Sequence, residues 1–141
     1  MNRELIYSKF FELVKGVADF KTASRRLKHW SDVAPAQQPA LYVSQRTEIV
    51  TRTPGLNPIW ELQLDIYLYA NTGGDKSIAP SQILNPLIDA IEEALKPNPI
   101  DNKQTLGGLV AHAWIDGVIE TDEGVLGDQA VAIIPVVIKT A

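Results

Sequence analysis

Two histidines, His29 and His112, and two carboxylates four residues apart, Glu61 and Asp65, have side-chain types suited to proton transfer or metal binding. A histidine changes charge near neutral pH and can hold a metal through a ring nitrogen. A zinc site needs three or four ligands at regular spacing, and the two histidines stand far apart in a chain without cysteine. Paired carboxylates do acid–base work when their surroundings push their pKa values apart. Glu61 and Asp65 fall on one face of an extended segment with no apolar pocket to do this, so a solvated face is expected. Asp122, Glu123 and Asp128 flank a glycine turn and carry the charge of a calcium loop, but lack its ligand spacing. The glycine pairs Gly73-Gly74 and Gly107-Gly108 read as turns. The phosphate-binding loop, the dinucleotide fingerprint and the hydrolase elbow are absent. The expectation is therefore a chain without catalysis, cofactor or metal.

Side chains of another kind stand out. Tyr67, Tyr69 and Trp114 are large aromatics on otherwise polar strand faces, and Val131, Ile133 and Val137 form the second apolar face of the final strand. Such residues are enriched at protein interfaces, and these six are the candidate interface residues. The rival reading is that another layer of the same chain covers them. The basic run Lys21, Arg25, Arg26, Lys28 and His29 reads as a solvated, charge-protected sheet edge rather than a phosphate site.

The element that positions these residues is Pro58 to Asn71. Trp60, Leu62, Leu64, Ile66, Leu68 and Ala70 alternate with Glu61, Gln63, Asp65, Tyr67 and Tyr69. A period of two excludes a helix and puts the first set in the core. This is the expected central strand. A helix is expected over Arg3 to Gly16, with Ile6, Phe10, Leu13, Val14 and Val17 on one stripe. Thr22 to Trp30 suits an edge strand, and Ser31 to Gln38 a loop. Pro39 to Arg52 is a strand whose alternation fades, with its far end standing clear as a hairpin arm turned at Pro54-Gly55. A second helix is expected over Ala79 to Lys96. There Pro86 implies either a kinked first turn or a helix that begins at Pro86 with Asn85 as its cap. Leu106 to Thr121 is the next strand, Thr121 to Gly127 a turn, and Asp128 to Lys139 the last strand. Pro135 implies an unpaired edge or a bulge there. The expected fold is α+β, one domain over residues 1–141, in the order α-β-β-β-α-β-β. It has a mainly antiparallel sheet of about five strands with both helices on one face.

Composition agrees with an ordinary globular chain: 141 residues, 45% hydrophobic and 21% charged. No run reaches the ~18 apolar residues of a membrane span. A net charge of −4 is opposite in sign to that of most proteins that grip nucleic acid.

The element order and two segments, SRRLKHWSDVAPAQQPALYV (Ser24 to Val43) and LGGLVAHAWIDGVIETDEGVLGDQAVAIIPV (Leu106 to Val136), resemble the tail-terminator and tail-completion proteins of long-tailed bacteriophages, the group that includes the lambda minor tail protein U. The resemblance spans nearly the whole chain and carries no catalytic signature. It implies a structural virion protein, assembled in the host cytoplasm and located in the virion tail. As a homo-oligomer, a hexameric ring on the head-proximal end of the tail tube, it would touch the tail tube protein and a head-completion or connector protein. DNA would pass through the ring without specific binding. Six copies at −4 each make −24, and like charge avoids the counterion release that holds DNA to basic linings. Two acidic groups are candidates for the channel wall. One is Glu61 with Asp65; the other, favoured, is Glu120, Asp122 and Glu123, whose rival placement is the outer rim. A neck or head–tail connector, and a small protein-binding module unrelated to phage, are the competing readings.

Overall fold

The strand with the strict alternation, β3 (Ile59–Asn71), is the middle of the sheet. The computed structural model describes residues 1–124 and 127–140. Along the chain come helix α1 (Arg3–Lys15), strands β1 (Thr22–Ser24), β2 (Ala40–Thr51) and β3, helix α2 (Pro80–Ala94), then β4 (His112–Ile115), β5 (Glu120–Glu123) and β6 (Gln129–Lys139). The strand order is β1-β2-β3-β6-β4, and β5 pairs β6 beside β4. Every pairing is antiparallel except β1 with β2, which is parallel. The fold is α+β, as expected, with six strands among the described residues instead of about five.

Both helices pack against one face of this sheet. Leu62, Leu64, Ile66, Leu68 and Ala70 of β3 are fully buried there, with Ala132, Ile134, Val136 and Ile138 of β6. α1 contributes Ile6, Tyr7, Phe10 and Val14, and α2 contributes Leu84 and Ile91. Asn2 caps α1 by accepting from the Leu5 N–H. Trp60 is half-buried, with the Arg3 guanidinium 4.7 Å from its ring centroid.

Three sequence expectations are corrected. α2 begins at Pro80, with Ala79 as its N-cap residue, and runs through Pro86. Proline removes its own N–H bond and its ring crowds the carbonyl four residues back, yet the buried stripe of Leu84 and Ile91 carries the helix onward. Asn85 is not a cap. Second, the single strand expected over Leu106 to Thr121 is two short ones. Leu106, Gly107 and Gly108 all have positive φ and form a turn, and residues 116–119 bulge out between β4 and β5. Opposite that bulge is Pro135, which accepts from the Asp116 N–H on the outer side of β6. Its missing N–H points the same way, so the strand outside cannot stay in register. Third, β1 is only three residues long and parallel to its neighbour. The turn expected over Thr121 to Gly127 is strand in its first three residues, which belong to β5, and the rest lies partly outside the described residues.

β2 fades for a local reason. Gln45 pairs with Leu64 and Thr47 with Gln63, which leaves Arg46 as an extra residue. A one-residue bulge inverts the phase of everything after it. Leu41 and Val43 face the helices before it; Glu48 does so after it, where it accepts from Arg3 at 2.8 Å and from the Tyr7 hydroxyl at 3.2 Å.

Candidate functional site

The face of the sheet away from the helices carries the aromatics and carboxylates that the sequence singles out. Half of it is covered by the chain itself. Residues 30–38, two short 3-10 turns, fold across Ala40, Tyr42, Tyr69 and Val131 and bury Val33 among them. Gln38 ties this strap down, donating to the Val33 carbonyl and to the Gln129 side chain at 3.0 Å. The Tyr69 hydroxyl donates to the Lys28 carbonyl at 2.6 Å, and burial pushes its pKa up to about 12.

The candidate interface residues therefore divide. Tyr69 (3% exposed) and Val137 (5%) belong to the chain's own packing and are corrected from interface to interior. Tyr67, Trp114 and Ile133 remain half-buried on the open face. Val131, at 9%, forms the floor of a groove. That groove, about 620 Å³, runs between Trp30, Val131 and Ile133 on one side and residues 118–122 on the other. A smaller depression of about 330 Å³ adjoins it, lined by Arg46, Asp65, Tyr67, Asp116 and Glu120.

The three carboxylates of β5 separate across the sheet. Glu120 and Asp122 pair with Ile133 and Val131 and share the open face with them. Glu123 points the other way and accepts from the Ser81 N–H at 2.6 Å, in the first turn of α2. An anion there satisfies a free helix N–H and meets the positive end of the helix dipole. The Ser81 hydrogen bonds hold the Glu123 carboxyl below its ordinary range. Glu123→Gln should lower the melting temperature at neutral pH. A depressed pKa gives stability that is lost as pH falls through it, so the gap from wild type should close below the usual carboxylate range. A gap that persists in acid would mean the charge is not what acts.

Asp65 departs from its expectation of full solvation. Its side chain is 13% exposed, 3.8 Å from the Arg46 guanidinium. Burial raises its pKa; Arg46 opposes this and Glu120 adds to it. The folded state then binds the proton more tightly than the unfolded one, so stability falls as pH rises through that range. Asp65→Asn should melt higher than wild type at neutral pH, with the difference vanishing in acid; a lower melting temperature at neutral pH would show that the Arg46 pairing outweighs burial. Glu61 sits at the other end of β3, half-buried, opposite Ile49 and Lys139.

The histidines take separate local roles. His29 bonds the Ser31 hydroxyl at 2.7 Å. His112 accepts from the Gln104 N–H through Nδ1 at 3.0 Å and stacks on Trp114, ring centroids 4.9 Å apart. Among the described residues no group of three histidines, aspartates or glutamates is placed to hold a metal. None of the described helices is long and apolar enough to cross a membrane.

A surface that the sequence did not mark as a site lies at the far end of the sheet. Ile49 and Val50 of β2, Leu56 of the turn and Ile59 of β3 are 39–71% exposed at the tip of the β2–β3 arm. Ile49 and Val50 were legible only as part of a polar hairpin end, because the Arg46 bulge in β2 hides their phase, and Leu56 and Ile59 lie in the turn and at the start of β3.

No protein-family model matches the chain, and no curated protein matches it. Among solved structures, one whose name states no activity aligns with 99% of this chain and 94% of its own, at 18% identity and a TM-score of 0.47. At that level the likeness carries no argument about function.

Proposed function

We propose that the protein is a structural, non-enzymatic component of a bacteriophage tail: a terminator that forms a ring on the head-proximal end of the tail tube, stops its growth and offers a docking surface to the head. The observation that carries this reading is the pairing of two unlike surfaces on one sheet. An arm with an apolar tip projects from one end, and a half-open apolar groove with acidic residues lies at the other. A subunit with two different sticky surfaces assembles head to tail, and such contacts close into rings when the rotation allows. The resemblance of Ser24 to Val43 and Leu106 to Val136 to tail-completion proteins supplies the biological setting. The partners in this reading are further copies of the chain, the tail tube protein and the head-completion protein. DNA passes through the acidic ring unbound, and the protein resides in the virion tail after assembly in the host cytoplasm.

Electron micrographs of tails made without this protein test the reading. Overlong tubes of variable length are expected. Tails of normal length that lack heads would overturn termination in favour of a connector role. Tails and particles indistinguishable from wild type would overturn a tail function altogether.

A further inference from the structure

The arm tip and the groove are complementary in both shape class and charge. Residues 49–59 hold four exposed apolar side chains and a single charge, Arg52. The groove has an apolar floor of Trp30, Val131 and Ile133, an exposed apolar lip at Ile119, and two carboxylates, Glu120 and Asp122, with no base among its described lining residues. The tip cannot reach the groove of its own chain. From Ile59 to Tyr67, the residue paired with Ile133, the β3 backbone extends about 26 Å in a straight strand.

We propose that the arm tip of one copy seats in the groove of a second copy. Ile49, Leu56 and Ile59 lie over the Trp30, Val131 and Ile133 floor, and Arg52 pairs with Glu120 and Asp122. The contact is heterologous: each copy gives its tip to one neighbour and its groove to the other. It assigns Glu120 and Asp122 to the junction between copies and not to the channel wall expected from the sequence. The strap over residues 30–38 gains a role, since it supplies the Trp30 wall. This contact deepens the ring reading and rests on it only for closure into a ring.

The chain has no cysteine, so single thiols report the contact cleanly. Three variants are made at exposed positions: Leu56→Cys at the tip, Ile119→Cys at the groove lip, and Ile100→Cys, 94% exposed and outside both surfaces. Pairs are mixed in concentrated solution and oxidised with diamide. The Leu56–Ile119 mixed disulfide should form ~10-fold or more faster than the Leu56–Ile100 one, because docking raises the local thiol concentration. Adding Arg52→Glu to the tip copy should slow it, Glu120→Arg in the groove copy should restore it, and salt should weaken the effect. Equal rates for the two mixed disulfides would overturn the proposal. So would predominance of the Leu56–Leu56 product, which would mean that tips meet tips. The tail phenotype is independent of this result. Overlong tails without the preferred disulfide would keep the terminator reading and remove this contact; the preferred disulfide with unaffected tails would do the reverse.

Discussion

Leu64→Ala is expected to destabilise the protein by ~2–5 kcal/mol, lowering its melting temperature by roughly 5–15 °C. Leu64 has no exposed surface and stands on the central strand between Gln45 of β2 and Val136 of β6. The helices cover it from one side and two strands flank it. The surroundings cannot collapse into the space without moving the sheet, and the cavity term is therefore large. Its neighbour along the strand is the control. Gln63 is on the open face, where its side-chain oxygen accepts from Thr47 at 2.6 Å. Gln63→Ala should cost less than Leu64→Ala, because the two bonds it gives up, from Thr47 and, at 3.4 Å, from Arg46, are exchanged for water on the open face. A larger loss from Gln63→Ala than from Leu64→Ala would reverse the assignment of faces.

The second large effect is expected at Gly117, in the bulge between β4 and β5. Its φ of +116° is a conformation that side chains adopt only under strain, and a Cβ there would lie 3.3 Å from Pro135 Cγ. Gly117→Val should cost ~1–3 kcal/mol from the backbone alone, with the Pro135 contact added to it. Gly117→Ala should show most of the backbone part. In a Pro135→Ala background the Cγ contact disappears and an N–H returns to the strand, so the cycle of single and double variants measures how strongly the two positions are coupled. Urea midpoints measure this directly, provided the slope is unchanged. Wild-type stability in Gly117→Ala would show that the bulge relaxes freely.

The legible part of this fold is the part with a strict period. β3 needed only its alternation, because every even residue from Leu62 to Ala70 is buried between two paired strands. β6 was legible as a strand from its apolar run on both faces, but that run did not say whether the same chain or another subunit covers the outer face. Pro135 marked an interruption of pairing, which the structure places in the strand beside β6 and not in β6 itself. The limits have equally local causes. The Arg46 bulge flips the phase of β2, so the exposed Ile49 reads as noise in an alternation that no longer applies. Tyr7 was not placed in the core, because burying a tyrosine depends on a partner elsewhere in the chain, here Glu48. Glu123 looks like its neighbours until α2 is brought beside it. The strap over residues 30–38 has no period at all, and it decides which of the aromatics are covered. The site was thus visible as a set of residue types, and its division into covered and open halves was not.

The position of β6 in the strand order has a consequence for the route to the native state. β2 and β3 can zip together through one short turn within microseconds. β6 must then find the other edge of β3 across the whole of α2, β4 and β5. Until it arrives, β3 has an open edge, and the two helices rest on half a sheet. A pairing between distant segments makes for slow folding. A hairpin formed before β6 arrives would have its apolar face uncovered, and such a species associates with its own kind. Refolding yield should therefore fall with protein concentration, and a substitution that strengthens the pairing of β6 with β3 should speed the reaction more than any improvement to the arm.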